Sequence, residues 1–387
     1  MTGRGRFLVV VWDGGGNVGP ALALGRLLAG RGHPVRILGP ESIRGRAGET
    51  GCAFRPFLRA PEFDPSLGPS FEDEGQWPWF DRILAGPEVA QDVLAELDRE
   101  AADALVVDFM LLGGLAAAER SGLPTAAFCH TLLQLSIEGS WVEPLWSELL
   151  PTANETRRGL GLDEIGVAPA LWERASVVVV LTPQAFDFPM RGVPANVVYT
   201  GPLLDRTPSG AWDLPWAPDD PLPLVLVSFS STYQYQEPAL KSASEALEAL
   251  PVRALLTSGP SIDPDVVRAP ANGVVRRFVP HSAVLPHAAL VVCHGGHSTV
   301  MGALAHGVPL VCMPMGRDQD EIAERLEACR AGRTVARDAS AAELRAAVAD
   351  VLGTPSYRAS AQRMAELMRR EESPVRVLAA LEGLLAS

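Results

Sequence analysis

The sequence predicts an α/β protein built from two doubly wound, parallel-sheet domains. Three observations favour this class. Apolar runs of strand length alternate with longer stretches in which apolar residues recur every three or four positions. Continuous Val and Leu runs are typical of strands covered on both faces, as in a parallel sheet wrapped by helices. The alternation stops at a Pro- and Asp-rich segment, residues 201–223, and starts again at LVLVSFSS.

Composition narrows the class of protein. The 387 residues suffice for two domains of ordinary size, and a hydrophobic content of 47% supplies their cores. The net charge of −13 disfavours a nucleic-acid partner. No window approaches the roughly 20 apolar residues of a membrane span, and no cleavable signal precedes the first strand. We therefore expect a cytoplasmic protein, and the sequence leaves a homodimer open.

Each domain is predicted strand by strand from its apolar runs. The first domain covers residues 1–205, with candidate strands at 7–12, 35–38, 104–108, 125–129, 176–181 and 196–200. A linker covers 206–222. The second domain covers 223–373, with candidate strands at 224–229, 253–257, 274–278, 290–293 and 310–313. Ligands of such domains bind at the carboxyl ends of the strands.

Two segments of the first domain, 59–87 and 131–172, interrupt the alternation. Both are rich in aromatic residues, and the first is too long for an ordinary connection, which favours a functional loop. Their aromatic side chains either line a site for a bulky apolar partner or pack the insertions against the sheet. The candidate acceptor-binding residues are Trp77, Trp79, Phe80, Trp141 and Trp146.

The first glycine turn, residues 14–19, spells the G-x-G-x-x-G of a dinucleotide site. Such a site also needs an acid at the end of the second strand, and Glu41 lies beyond that end. Pro20, directly after the last glycine, contributes no amide. A lone motif of this kind is weak, so an NAD-dependent oxidoreductase is kept only as an alternative function.

A denser constellation lies in the second domain. A strand end, a glycine turn and a helix start follow one another at His294, Gly295, Gly296, Ser298 and Thr299, and this helix is predicted to run to about residue 306. Amides, hydroxyls, an imidazole and the positive end of a helix dipole favour a phosphate there. Asp318 and Gln319 begin the next helix and suit vicinal hydroxyls. Together these groups predict a nucleotide-sugar site.

The run from Phe278 to Gln319 resembles the donor signature of the large inverting glycosyltransferase family one, of GT-B fold, especially its bacterial natural-product members. The first turn, the first helix and the RGH-V motif at 31–35 are similar to that family's opening. The resemblance covers both domains and the linker, and is sharpest over 274–326. It implies two Rossmann-like domains facing across a cleft, acceptor domain first, with a last helix at 374–387 crossing back to the first domain.

The resemblance also implies roles for single residues. The diphosphate would be bound by His294, Ser298, Thr299, Ser230 and Ser231. The base would be read by Phe278, Val279 and His281, and the sugar hydroxyls by Asp318 and Gln319. Many UDP-glucose users carry a glutamate eight residues after the motif histidine, where this chain has Gly302. Since no carboxylate is left there to select ribose, we expect a dTDP-deoxysugar substrate over a UDP-sugar. We also expect the enzyme to use no cofactor and no metal.

Inverting transfer needs a base that takes the proton of the acceptor, a bulky apolar aglycone. Most relatives place a histidine in the first turn and an aspartate after the fourth strand. Asp108 matches the aspartate, but the histidine position is counted to Gly15, beside Asn17, and both would border the acceptor. Asp13 could instead accept amides of the turn. Three candidates remain for the base: Asp108, Asp13 and His130.

The missing histidine keeps other functions open. The chain could be a catalytically poor GT-B helper subunit, or a nucleotide-sugar epimerase of the same architecture. The sequence fixes neither the sugar nor the acceptor, nor whether the new bond is made to oxygen, nitrogen or carbon. Binding of dTDP or UDP without binding of NAD would favour the transferase and helper functions over the oxidoreductase.

Overall fold

The computed structural model describes residues 4–62, 80–133, 142–188, 193–204, 215–217, 220–371 and 373–386. Their contacts form two compact units, each with its own parallel sheet. Unit 1 runs to Leu203 and includes the tail from Glu371 onward, and unit 2 runs from Leu204 to Arg370. Most of the predicted linker, 206–222, lies outside the described residues.

Unit 1 has a parallel sheet with seven strands among the described residues, in the order β3-β2-β1-β4-β5-β6-β7. The strands are β1 Phe7–Val10, β2 Val35–Gly39, β3 Ala53–Pro56, β4 Ala104–Asp108, β5 Thr125–Cys129, β6 Val177–Val180 and β7 Val197–Tyr199. The strand order reverses between β1 and β4, where Val10 pairs with Val107. Ligands of doubly wound sheets bind at such a reversal, so the loop after β1 and the end of β4 form the natural site.

The helices of unit 1 cover both faces of this sheet. They are α1 Val18–Gly30, α2 Arg44–Gly48, α3 Phe80–Leu84, α4 Pro87–Arg99, α5 Leu112–Ser121, α6 Val142–Gly159, α7 Ala170–Glu173, α8 Gln184–Asp187 and, at the end of the chain, α15 Ser373–Gly383. One core joins α1 to the sheet and to the last helix, through Leu24, Leu28, Val377 and Leu381. The last helix is therefore part of the core of unit 1.

Unit 2 repeats the pattern with six parallel strands in the order β10-β9-β8-β11-β12-β13. The strands are β8 Leu224–Ser228, β9 Arg253–Thr257, β10 Gly273–Arg276, β11 Ala288–Cys293, β12 Leu310–Cys312 and β13 Gly332–Thr334. Here the order reverses between β8 and β11, where Ser228 pairs with Cys293. The carboxyl ends of these two strands therefore meet at the natural ligand position of this unit.

The helices of unit 2 begin at the carboxyl ends of its strands. They are α9 Glu237–Glu248, α10 His281–Val284, α11 His297–Ala305, α12 Gln319–Ala328, α13 Ala341–Gly353 and α14 Pro355–Glu371. The structure begins α11 at His297, one residue before the predicted start. No helix within the described ranges is both long enough and apolar enough to cross a membrane.

Of the four edge strands in the described sheets, β3 and β13 have no counterpart among the sequence predictions, whereas β7 and β10 do. The sequences of β3 and β13, AFRP and GRT, are short and mixed in polarity. An edge strand has one neighbour in the sheet, and most residues of these two strands are partly or fully exposed, so a continuous apolar run is not required there. The inner strands match their predicted positions to within two residues.

Candidate active site

In unit 1, the loop after β1 and the end of β4 meet at Asp108. This carboxylate is fully buried. Its Oδ2 accepts a hydrogen bond from Asn17 Nδ2 at 2.8 Å, and its Oδ1 accepts one from the Met110 amide at 3.0 Å. Burial raises the pKa of Asp108 above its ordinary value, although the nearby His130 and the hydrogen bond from Asn17 oppose the rise.

The first turn reaches Asp108 through Asn17. Gly15, the position counted for the histidine, has a φ of 86° and carries no side chain that could take part. The side chain that contacts Asp108 from this turn is therefore an amide, which cannot act as a base.

Both carboxylate oxygens of Asp13 are used within unit 1. Oδ1 accepts the Gly15 amide at 3.1 Å and Oδ2 accepts the Ser42 hydroxyl at 2.9 Å. Asp13 therefore stabilises the first turn, which is the alternative to a catalytic role for this residue. The acid that a dinucleotide site would need is not held ready for a ribose either, because the exposed Glu41 forms an ion pair with Arg44.

His130 directly follows β5, the neighbour of β4. Its Nδ1 lies 3.5 Å from Asp108 Oδ2 and is buried without a hydrogen-bond partner of ordinary length, while 15% of the side chain is exposed. Phe109 and Phe128 flank the ring at centroid distances of 5.3 and 6.3 Å. The structure therefore brings two of the three predicted base candidates, Asp108 and His130, together.

The aromatic residues predicted to line an acceptor site are only partly described. Trp77, Trp79 and Trp141 lie outside the described residues. Trp146 is 5% exposed and packs against Trp172 and Phe109 at centroid distances of 5.5 and 6.3 Å. Phe80 is also 5% exposed and contacts Trp12 edge to face. These two side chains have the packing role given above as the alternative, and their acceptor role stays a prediction.

In unit 2, the strand end, glycine turn and helix start lie together as the sequence indicates. Gly295 has a φ of 86°, which favours glycine. Gly296 has an ordinary φ of −60°, but a side chain there would meet the ring of His294. Ser298 is exposed and Thr299 is partly exposed in the first turn of α11. The two glycines therefore allow the imidazole of His294 to lie against the start of α11.

His294 is the most strongly perturbed histidine of this site. It is 8% exposed, and its Nδ1 is buried without a hydrogen-bond partner. Burial, assisted by the charges of Arg317 and His281, lowers the pKa of His294 to about 3. His281 in turn lies with Nε2 3.0 Å from Ser228 Oγ, at the end of β8. The His294 ring thus lies against the amino end of α11, with Arg317 and His281 near enough to act on it, an arrangement suited to an anion.

Ser230 and Gln319 are both held in a buried polar network. Ser230 Oγ accepts Gln234 Nε2 at 2.8 Å, and Gln234 Oε1 accepts Gln319 Nε2 at 2.8 Å. The other amide atom of Gln319, Oε1, accepts the Met315 amide at 2.8 Å. The network joins the loop after β8 to the start of α12. Gln319, at 2% exposure, has its amide engaged inside the protein, and its sugar-binding role stays a prediction.

The remaining predicted donor residues differ in accessibility. Ser231 is exposed and Asp318 is partly exposed. Phe278 is 76% exposed, whereas its neighbour Val279 is buried. An aromatic ring this exposed in a folded domain offers a face on which a flat ligand can stack. Phe278 and Ser231 are thus exposed on unit 2, and Asp318 is partly exposed.

Two residues of the site are not predicted from the sequence. Arg317, whose φ of 61° is unusual for a side chain of its size, adds a charge beside His294. Gln234 joins Ser230 to Gln319. Arg317 stands directly before Asp318 in the sequence and could have been found there, whereas nothing in the sequence pairs Gln234 with Gln319, 85 residues away.

Alanine at position 296 is expected to push the His294 ring away from the helix start. An added Cβ would lie 2.7 Å from Cε1 of that ring and closer still to Nε2. Since burial holds the pKa of His294 near 3, displacement toward water should raise it by one unit or more, toward its ordinary value of 6.5. Histidine NMR titration of Gly296→Ala measures this shift. Gly45→Ala, where a Cβ meets nothing within 4 Å, serves as the control, and an unchanged His294 would contradict the packing described.

Comparison with known proteins agrees with this geometry. Residues 253–384 match the family model of the erythromycin biosynthesis protein CIII-like C-terminal domain. The chain is 28% identical to 4'-demethylrebeccamycin synthase of Lentzea aerocolonigenes, covering 98% of this chain and 99% of the relative. It is 29% identical to demethyllactenocin mycarosyltransferase of Streptomyces fradiae, covering 96% and 84%. This chain is a glycosyltransferase of the natural-product type.

Solved structures place the glycosyltransferase in the GT-B fold. A kitacinnamycin glycosyltransferase structure is similar at a TM-score of 0.81 and 23% identity, covering 98% of this chain and 99% of the other. The calicheamicin glycosyltransferase is similar at a TM-score of 0.80 and 22% identity, covering 99% of each chain. The predicted class of two parallel-sheet α/β domains is therefore confirmed.

Proposed function

We propose that this glycosyltransferase moves a deoxysugar from a dTDP-sugar to a bulky apolar aglycone, with inversion at the anomeric carbon. One observation carries the donor side of the proposal. The buried imidazole of His294, with its unpartnered Nδ1, lies beside Arg317 and His281 at the amino end of α11. A helix start surrounded by basic groups fits a diphosphate.

The preference for dTDP rests on what surrounds Gly302. This residue is buried in α11, and a Cβ added there would lie 3.3 Å from Leu285 Cδ1. A glutamate at this position, as in many UDP-glucose users, would have to displace Leu285. A carboxylate that selects ribose is thus absent from this position. A structural neighbour at a TM-score of 0.73 is described in complex with dTDP, in line with this choice.

The other donor contacts follow from accessibility. The exposed ring of Phe278 would stack on the base, with Val279 and His281 beside it. Ser231, Ser298 and Thr299 would donate to the phosphates, and Asp318 would accept from sugar hydroxyls. Gln319, whose amide bonds to Gln234, would hold the start of α12 next to Asp318. It would bind the sugar directly only if that hydrogen bond opened when the donor binds.

Inversion requires one in-line displacement at the anomeric carbon. The acceptor atom attacks as a base removes its proton, and the bond to the diphosphate oxygen breaks with its electron pair leaving on that oxygen. The charge of Arg317 and the amides and hydroxyls at the amino end of α11 would stabilise the charge that develops there. This chemistry needs no cofactor, since the nucleotide sugar is a substrate. A metal-independent reaction, a cytoplasmic location and a homodimer remain predictions.

The apolar acceptor is proposed from the relatives and from unit 1. The relatives are named for rebeccamycin and lactenocin derivatives, which are natural products. Near Asp108, the described walls are aromatic, with Trp12, Phe109 and Phe128 among them. Aromatic walls favour a flat or bulky apolar acceptor over a hydrophilic one.

Calorimetry on the whole protein tests the donor site. We expect dTDP to bind and NAD to show no binding. His294→Gln should weaken dTDP binding about tenfold or more, because it replaces an imidazole donor beside the phosphates. His287→Gln, on an exposed histidine, is the matched control and should bind as the unaltered protein does. Equal dTDP binding by the His294 variant would contradict the proposed donor site.

Transfer is tested next with dTDP-glucose, dTDP-rhamnose and UDP-glucose as donors and 4-methylumbelliferone as a flat phenolic acceptor. The proposal expects a glycoside from a dTDP-sugar, with the anomeric configuration opposite to that of the donor by NMR. Binding of dTDP without transfer to any acceptor would favour the helper subunit. That function is in line with an amide, Asn17, as the first-turn side chain that contacts Asp108. Retention of configuration would contradict inversion.

A further inference from the structure

The carboxylate of Asp108 lies between two side chains that arrive from opposite directions in the sheet of unit 1. Asn17 reaches it from the loop after β1, and His130 reaches it from the end of β5. β1 and β5 are the two neighbours of β4. The end of β4 can therefore hold a partner from either side, and the two partners differ in chemistry.

The partner from the β1 side, Asn17, is an amide whose nitrogen and oxygen are both engaged in hydrogen bonds. Asn17 is 1% exposed, and its Nδ2 donates both to Asp108 and to the Trp12 carbonyl, each at 2.8 Å. Its Oδ1 accepts the Gly14 amide at 3.0 Å. The amide thus ties the first turn to Asp108. Asn17 holds the carboxylate in place but cannot take a proton from an acceptor.

The partner from the β5 side is an imidazole. Nδ1 of His130 is buried and faces Asp108 Oδ2 at 3.5 Å, while the exposed 15% of the side chain lies away from that nitrogen. A proton on Nδ1 directed at Asp108 leaves the lone pair on Nε2. The 3.5 Å separation is longer than a hydrogen bond, and such contacts commonly shorten when substrate binds.

The other two candidate bases are less suited. Asp108 is fully buried and cannot reach an acceptor. Asp13 uses Oδ1 for the Gly15 amide and Oδ2 for the Ser42 hydroxyl. Among the charged groups of the described residues, Asp108 is the one that pairs with His130. The aromatic side chains of Phe109 and Phe128 also lie against its ring.

We propose that His130 is the catalytic base of this glycosyltransferase and that Asp108 positions it, so that the base comes from β5 instead of the first turn. The inference rests on the proposed function. Nε2 of His130 takes the acceptor proton, the acceptor atom bonds to the anomeric carbon, and the sugar–diphosphate bond breaks with its electrons on the leaving diphosphate. The imidazolium that forms is stabilised by the Asp108 carboxylate.

Kinetics provide the first test. His130→Gln is expected to lower kcat for transfer to 4-methylumbelliferone about 100-fold, with KM for the donor and Kd for dTDP changed less than twofold. The acid limb of the kcat–pH profile should disappear in the same variant. His287→Gln is the matched control. A kcat within twofold of the unaltered protein, or a loss confined to donor binding, would rule His130 out as the base.

A second variant checks the position of the base. Asn17→His, added to His130→Gln, places an imidazole next to Asp108 from the β1 side, where the family resemblance implies one. We expect this double variant to regain at least tenfold of the lost kcat. If the single loss came from disturbed packing of Phe109 and Phe128, a histidine on the other side of Asp108 would restore nothing, and the inference would fail.

NMR of 15N-histidine-labelled protein keeps the test independent of any acceptor. The proposal expects the neutral ring of His130 to carry its proton on Nδ1, with Nε2 unprotonated. Asp108→Asn should weaken this preference. A protonated Nε2 in the neutral ring would contradict the assignment even if no donor is turned over. Failure of dTDP to bind would instead count against the proposed function, so the two failures are distinguishable.

Discussion

Replacing Asp108 by asparagine is expected to lower kcat by about 10²–10³-fold while leaving dTDP binding in unit 2 unchanged. The carboxylate is buried and faces both Asn17 and His130, so the substitution acts on two partners at once. An uncharged amide no longer stabilises a positive imidazole. Because Asp108 acts on the reaction through His130, the loss in kcat should be comparable to that of His130→Gln.

The hydrogen bonds of Asp108 also predict a loss of stability in Asp108→Asn. Its two oxygens accept from Asn17 and from the Met110 amide. An asparagine has one acceptor oxygen, so either Asn17 or Met110 would face another donor, at a cost of about 1–3 kcal/mol. We expect a lower Tm as well as a lower kcat.

Steady-state kinetics and dTDP calorimetry separate these effects. Asp98→Asn, on an exposed aspartate of α4, is the matched control and should leave kcat, Kd and Tm as they are. Turnover by Asp108→Asn equal to that of the unaltered protein would remove Asp108 from the mechanism. A loss of dTDP affinity as large as the loss in kcat would point to general damage instead.

Removing Glu119 is expected to give the largest loss of stability in unit 1, about 3 kcal/mol. Arg157 is completely buried on α6 and pairs with Glu119 of α5, with Nη1 2.6 Å from Oε2. Its Nε also donates to the Asp163 carbonyl at 2.6 Å. In Glu119→Ala the guanidinium stays buried without its counter-charge. For a unit of this size the Tm should fall by roughly 6–12 °C.

Arg174 supplies the matched control, because it also pairs with Glu119, at 2.7 Å, but its side chain is 41% exposed. Arg174→Ala should cost less than about 1 kcal/mol, as is usual for exposed ion pairs. Thermal unfolding of both variants measures the difference. Equal losses would show that burial of Arg157 does not decide the energetics.

The same pair predicts a pH dependence. Burial by itself raises the pKa of Glu119, but the ion pairs with Arg157 and Arg174 outweigh it and lower the pKa below its ordinary value of 4.5. A lowered pKa means that this stabilisation is complete above about pH 4.5 and is lost as the pH falls through the folded-state pKa. The Tm difference between the unaltered protein and Glu119→Ala should therefore shrink below pH 4.5.

Much of the fold could be predicted because the inner strands of both sheets are covered on both faces. Such strands need continuous apolar side chains, and β4, β5 and β9 begin and end at their predicted residues. The edge strands β3 and β13 carry no such requirement and gave no signal. β3 pairs with β2 and β13 pairs with β12, so the place of each edge strand is set by its neighbour in the sheet.

The candidate site also combines residues that the sequence points to and contacts that only the structure shows. Asp108 and His294 were found because each directly follows or ends an apolar strand, and strand ends are where doubly wound sheets bind ligands. The sequence placed Gly15 and Asn17 in the first turn without showing which side chain meets Asp108, and the structure shows that Asn17 does. The amide of Gln319 looked available to a sugar, but it bonds to Gln234 on a loop 85 residues away.

The sequence by itself determined the two sheets, the position of the helix start beside His294, and the absence of a first-turn histidine, because each depends on residues close together in the chain. Only the tertiary structure decided which side chains meet at Asp108. Asn17 and His130 are far apart in sequence, and the strand order β1-β4-β5 brings both to the end of β4. Strand order is set by packing between distant segments, which local patterns of polarity do not record.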